Sequence, residues 1–166
     1  MKKRKQSEWF VEHFTPELLN SPLFKFVITL PNGQKIEVDL TADTKVDYDT
    51  IEEDIVDIPA QQTFYGIIYS ELRLFGVQIE RRIKARRGKL TELVLESGKA
   101  DKIKFTDQQV KYVIESDETL NRLEGELALV QRDTGKMYHM VETTKMRLEV
   151  MRSLAGFKRQ DRDAQK

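Results

Sequence analysis

From Leu120 to Ala155 the chain reads LNRLEGELALVQRDTGKMYHMVETTKMRLEVMRSLA. Apolar or small residues recur here at alternating intervals of three and four. One position of the repeat takes Leu120, Leu127, Thr134, Val141, Leu148 and Ala155; the other takes Leu123, Val130, Met137, Thr144 and Met151. Such spacing keeps a narrow apolar stripe on one side of an α-helix, the pattern of a coiled-coil seam. The reading is a helix from near Asp117 to about Gly156, with Thr134 and Thr144 weakening the seam near its middle.

Upstream lies a second helical pattern. From Ala60 to about Ser97 apolar residues recur at Phe64, Ile68, Leu72, Phe75, Ile79, Ile83, Leu90 and Leu93 or Val94. Ser97-Gly98-Lys99 is read as its end, with glycine at the position after the cap. Thr106-Asp107-Gln108-Gln109 then has the form of a capping box, in which a hydroxyl and an amide satisfy the free N–H groups of a new helix. Two helices of similar length, joined by about twenty residues, are expected to fold back as an antiparallel pair. A pair alone buries only a thin seam, and Leu74, Val77, Leu129, Met140 and Val150 lie off it. Self-association is therefore expected, with Leu120, Leu127, Val130, Met137, Val141, Leu148 and Met151 as the oligomerisation residues.

The N-terminal part differs in character. Residues 7–19 suggest a short helix or two turns around Trp9, Phe10, Phe14, Leu18 and Leu19. Leu23–Leu30 and Gln34–Leu40 flank Pro31-Asn32-Gly33, and the second run alternates apolar with polar residues. Asn-Gly favours a type I′ turn, so a β-hairpin is expected. Next comes an acidic stretch in which Asp47 is a candidate N-cap for a short amphipathic helix bearing Ile51, Ile55 and Ile58. Pro59 either stops that helix or occupies the first turn of the next. The expected architecture is mainly α: a long antiparallel, coiled-coil-like helical hairpin (59–166) with a small N-terminal module containing the β-hairpin (1–58).

Composition excludes more than it selects. The absence of cysteine removes disulfides, thiolate zinc sites and cysteine nucleophiles together. No stretch approaches the roughly 20 apolar residues needed to span a bilayer. Met-Lys-Lys-Arg-Lys at the start resembles the head of a signal peptide, but Glu8, Glu12 and Glu17 stand where its apolar core belongs. A cytoplasmic location is expected. His13 and His139 are far apart in sequence, Gly88-Lys89 and Gly98-Lys99 lack the frame of a phosphate loop, and the acids of residues 47–57 lack the glycine turn of a calcium loop. No catalytic apparatus, metal or cofactor is expected.

The 28 basic and 28 acidic residues cancel in number but not in position. Residues 41–58 hold seven acids against one base, while residues 71–104 hold ten bases against five acids. Within the latter, Arg81-Arg82-Ile83-Lys84-Ala85-Arg86-Arg87-Gly88-Lys89 places six cations in nine residues without an acid. On a helix, like charges four apart repel, and a polyanion relieves that repulsion while releasing its condensed counterions. Arg81, Arg82, Lys84, Arg86, Arg87 and Lys89 are thus candidate nucleic-acid contacts. Lys99, Lys102 and Lys104 extend the positive end, and Phe105 and Tyr112 offer stacking faces. The competing reading is a solvated face neutralised by acids of a neighbouring helix, such as those between Glu115 and Glu126.

Residues from about 80 to 160 resemble the UvsY-like family of phage recombination mediators. The resemblance is carried by Ile83-Lys84-Ala85-Arg86-Arg87, by Thr106–Asp117 with its Gln108-Gln109-Val110-Lys111, and by Met151-Arg152-Ser153-Leu154-Ala155-Gly156-Phe157-Lys158-Arg159-Gln160. It implies an all-helical, ring-forming protein in the host cytoplasm. Such a protein binds single-stranded DNA, displaces or remodels a single-strand-binding protein, and loads a RecA-like recombinase; Lys84, Arg86 and Arg87 would contact the DNA. The alternative is a structural or adaptor coiled coil of a virion or an assembly pathway.

Overall fold

The structure, a computed structural model, describes residues 24–164. Its elements are β1 (Lys25–Thr29), β2 (Lys35–Asp39), α1 (Leu40–Thr44), α2 (Ile51–Ala100), α3 (Asp107–Glu115) and α4 (Glu118–Ala164). The chain is mainly helical, with a two-stranded antiparallel hairpin and a long helix packed on another helix, as its periodicity requires. Residues group into two units: one of residues up to Ile68 together with Met137 onward, and one of Tyr69–Lys136. Both units draw on α2 and α4. The turns expected at residues 7–19, and His13 with them, lie outside the described residues.

In the first unit β1 pairs with β2 from Lys25↔Asp39 to Thr29↔Lys35. Ile28 and Val38 are buried, while Val27 on the opposite face is exposed. The turn is not type I′, because Gly33 (φ 82°) has positive φ and Asn32 does not. Pro31 fixes a negative φ at the first corner. Gly33 N donates to Leu30 O (2.9 Å) and Leu30 N to Gln34 O (2.8 Å), a type I turn followed by a left-handed glycine. At the other end Asp39 caps the unforeseen α1, its Oδ1 accepting from the N–H groups of Thr41 and Ala42 at 3.1 Å each. Those bonds, and Lys25 at 3.1 Å, hold the Asp39 carboxyl below its ordinary range.

The short helix and the long one expected on either side of Pro59 are a single helix. Asp47 does not cap it; its Oδ1 accepts from Asp49 N in a turn upstream (3.0 Å), and the Thr50 carbonyl takes the first bonds of α2. Proline inside a helix loses a hydrogen bond and clashes with the preceding turn, at a cost of about 3 kcal/mol or more. What offsets it is burial: Ile51 and Ile58 pack with Leu148, Met151 and Ala155, flanked by Ile55 and Leu154. Each fully buried aliphatic side chain contributes roughly 1.5–3 kcal/mol, so Ile51 and Ile58, with a smaller share from half-buried Ile55, offset the break. Here the beginning of α2 lies against the end of α4, and the two run antiparallel.

Polar ties surround that core. Tyr65 donates to Asp43 Oδ2 (2.6 Å), and burial together with this carboxylate pushes the Tyr65 phenol well above its ordinary range. Arg147 donates to Asp43 O (2.8 Å) and Gln61 Oε1 (3.3 Å). The helix expected to end near Gly156 continues to Ala164. Lys158 donates to the carbonyls of Tyr48 and Asp49 (3.1 and 3.0 Å), and Arg159 and Arg162 reach Glu52 at 3.7 and 3.2 Å. These partners give the last turns of α4 something to hold.

In the second unit Ile79 and Ile83 of α2 form a core with Leu120 and Val130 of α4, joined by Phe75, Ile114, Leu123 and Leu127. A methyl on Gly76 would sit 3.7 Å from Val130, while ten residues later Arg86 lies beside Asp117, so these stretches are also antiparallel. Gly98 is not the left-handed residue that ends α2; Lys102 is, with φ 57°. Ile103 N donates to Gly98 O (2.8 Å) and Lys102 N to Lys99 O (3.4 Å), the paired bonds of a Schellman motif. Gly98 is required for a different reason: a β-carbon there would stand 2.7 Å from Ile103 O and 3.0 Å from the Phe105 ring. The expected capping box is present, with Gln109 N on Thr106 Oγ1 (3.3 Å) and Thr106 N on Gln109 Oε1 (2.9 Å).

Candidate nucleic-acid interface

The basic stretch lies on α2 within the second unit, and it divides into two kinds of cation. Ile83 is buried and fixes the inward direction. Arg81, Arg82, Lys84 and Lys89 are exposed and form no ion pair among the described residues. At 100° per residue Arg82 and Lys89 share one flank of the helix, and Arg81 and Lys84 the other. The surface between the two flanks carries Ala85 and, two turns further along, Glu92, both exposed.

Arg86 and Arg87 face acids of their own chain. Arg86 grips Asp117 with Nε on Oδ1 (3.1 Å) and Nη2 on Oδ2 (2.5 Å), and Arg87 Nη2 meets Glu124 Oε1 at 2.5 Å. Asp117 also caps α4 by accepting from Leu120 N at 2.8 Å. The Arg86 guanidinium chiefly holds the Asp117 carboxyl below its ordinary range; burial opposes it, and this backbone bond adds a lesser lowering. Asp117 in turn raises the pKa of Arg86. A signal for this was present in the sequence. Arg86 stands seven residues after buried Ile79, which itself follows Leu72 by seven, so Arg86 occupies a seam position where a solvent-facing cation does not belong.

Lys102 and Lys104 fall together with Lys99 in a groove of about 460 Å³ at the end of α2, walled by Leu95, Ile103 and Phe105. Tyr112 stands exposed on α3, outside this groove. A larger groove of about 560 Å³ runs between α2, α3 and the start of α4, with Leu95, Val110, Ile114 and Leu120 lining it and Arg87 and Glu124 among its polar groups.

The residues expected at a subunit seam are inside the chain. Leu120, Val130, Met137, Leu148 and Met151 are buried, and Leu127 and Val141 half-buried. The seam threonines are satisfied by the helix itself, Thr134 and Thr144 donating to the carbonyls four residues back at 2.7 and 2.8 Å. Of the off-seam positions Met140 is buried, whereas Leu74, Leu129 and Val150 are about half exposed. Among the described residues no group of three or more acids and histidines is placed to hold a metal ion, and no helix is long and apolar enough to cross a membrane. His139 is exposed, its ring edge-on to Tyr138 at 5.7 Å. No protein-family model matches the chain, and comparison with curated proteins and with solved structures likewise yields no match.

Proposed function

We propose that this chain is a non-enzymatic recombination mediator that binds single-stranded DNA as an oligomer and assists the loading of a RecA-like recombinase onto strands held by a single-strand-binding protein. The observation that carries the reading is the exposed quartet Arg81, Arg82, Lys84 and Lys89. Four cations without an ion-pair partner among the described residues, on little more than two helical turns, repel one another, and phosphates relieve that repulsion. The contact set is narrower than the sequence suggested. Arg86 and Arg87 serve the fold, and the exposed quartet with the lysines at the end of α2 serves the strand. Action in a host cytoplasm and the partnership with a recombinase rest on the family resemblance of residues 80–160.

The test is fluorescence anisotropy of the full chain with a labelled 40-mer over a salt series, beside mass photometry for subunit number. Replacing Arg81, Arg82, Lys84 and Lys89 with alanine should weaken binding and flatten the salt dependence by about 0.7 logarithmic units per lost phosphate contact. Absence of binding by the parent at low salt would overturn the reading. A structural or adaptor role is then favoured by two observations: basic residues meeting acids of the same chain at Arg86–Asp117 and Arg87–Glu124, and large apolar residues left exposed, such as Phe64, Ile67, Met146 and Phe157.

A further inference from the structure

We propose that the groove at the end of α2 is a one-nucleotide site, holding phosphate on Lys99, Lys102 and Lys104 and a base against Ile103 and Phe105. This rests on the single-strand reading above and names where on the second unit a base, rather than the phosphate chain alone, is held. The backbone builds the site. The Ile103 N to Gly98 O bond turns residues 101–105 back over the end of the helix. That return brings Lys102 and Lys104 to the same groove as Lys99, and none of the three has an ion pair among the described residues. Asp107 is the one acid on the lining, which leaves the groove net positive.

The apolar wall has its own support. Phe105 is half-buried against Gly98, where its ring atoms stand 3.0 and 3.2 Å from the place of a β-carbon, so any larger residue at 98 would push the ring away. Ile103 is 56% exposed, an apolar side chain beside three ammonium groups that no described residue covers. A phosphate ion alone has no use for that wall, and an apolar ligand alone has no use for the lysines. A nucleotide uses both, since every base offers a face for stacking on an aromatic ring whatever the sequence. The groove volume of about 460 Å³ lies within the range of small-molecule sites, about 300–1,000 Å³. Lys102 marks the site in a further way. It holds the left-handed conformation, φ 57°, that glycine occupies most readily at the end of a helix, yet it presents a long cation there.

That conformation supplies a clean test. Lys102→Gly suits the backbone better than the native residue, so this variant should melt no earlier than the parent. In anisotropy titrations with a labelled thymidine 40-mer at low salt, Lys102→Gly is expected to bind several-fold more weakly, with the salt slope reduced by about 0.7. Phe105→Leu keeps an apolar wall without an aromatic face; it should weaken binding by roughly fivefold or more while leaving the salt slope unchanged. If the parent binds and both variants match it in affinity and slope, the groove is not a nucleotide site even though the single-strand reading stands. If the parent itself does not bind, the single-strand reading fails and this proposal falls with it.

Discussion

Arg86 and Asp117 meet through two parallel hydrogen bonds, and the same Asp117 carboxylate accepts from the Leu120 N–H at the first turn of α4. One side chain of α2 thereby fixes where α4 begins. A planar guanidinium suits this arrangement because both prongs engage one carboxylate, which a lysine ammonium cannot do. Arg86→Lys and Arg86→Ala should both lower the thermal midpoint by several degrees, whereas Arg82→Ala should leave it within a degree or two. In DNA titrations the order should reverse, with Arg82→Ala altering the salt slope and Arg86→Lys leaving it alone. Differential scanning fluorimetry beside anisotropy separates the two roles, and equal melting of the Arg82 and Arg86 variants would count against the division.

Asp117 also makes a pH prediction. Its folded-state pKa is depressed, chiefly by Arg86. The folded chain therefore binds this proton less readily than the unfolded chain. The resulting stability is fully present above the unfolded carboxylate value, near 4, and is lost as pH falls through the lower folded value. Urea midpoints followed from pH 5 down to pH 2 should fall for the parent and fall less for Asp117→Asn. An identical acid response in the two proteins would mean that other carboxylates carry the loss.

Pro59 gives a prediction of opposite sign. It is exposed and inside α2, immediately after the buried Ile58. Alanine there restores a backbone donor and removes a clash, so Pro59→Ala should stabilise the chain by about 1–3 kcal/mol in urea unfolding. A loss of stability would show that the proline sets a bend the first unit needs.

The long helices were legible because their signals are repetitive. The seam from Leu120 to Ala155 averages over many turns, and each member is buried or half-buried. Signals resting on one residue fared differently. Pro59 and Gly156 read as boundaries, yet helix continues through both, since Ile51, Ile58 and Ala155 bury together and Lys158, Arg159 and Arg162 find partners beyond. Gly98 read as a cap, but its missing side chain makes room for Phe105. The basic run was visible as a run, and the seven-residue spacing of Arg86 from Ile79 marked it as facing the seam; that Asp117 and Glu124 are the acids met there depended on where another helix comes to lie. The groove at Lys99, Lys102 and Lys104 depends similarly on a reversal of the backbone after Ala100.

The seam decides how assembly should respond to mutation. Met151 is fully buried in the first unit with Ile51, Ile58, Leu148 and Ala155, all of the same chain. Met151→Ala removes most of a buried side chain and leaves a cavity, for an expected loss of about 2–5 kcal/mol. Because those contacts are within one chain, the fall in thermal midpoint should be the same at low and high protein concentration. Subunit number at fixed concentration, read by mass photometry below the melting range, should not change. Val150→Glu is the counterpart: Val150 is 50% exposed on the outside of α4, so a charge there costs the folded chain little. If copies associate through that outer face, Val150→Glu lowers subunit number without lowering the midpoint of the isolated chain. Should Met151→Ala instead dissociate the assembly while the chain stays folded, the seam is shared between chains and the intrachain pairing of α2 with α4 is wrong.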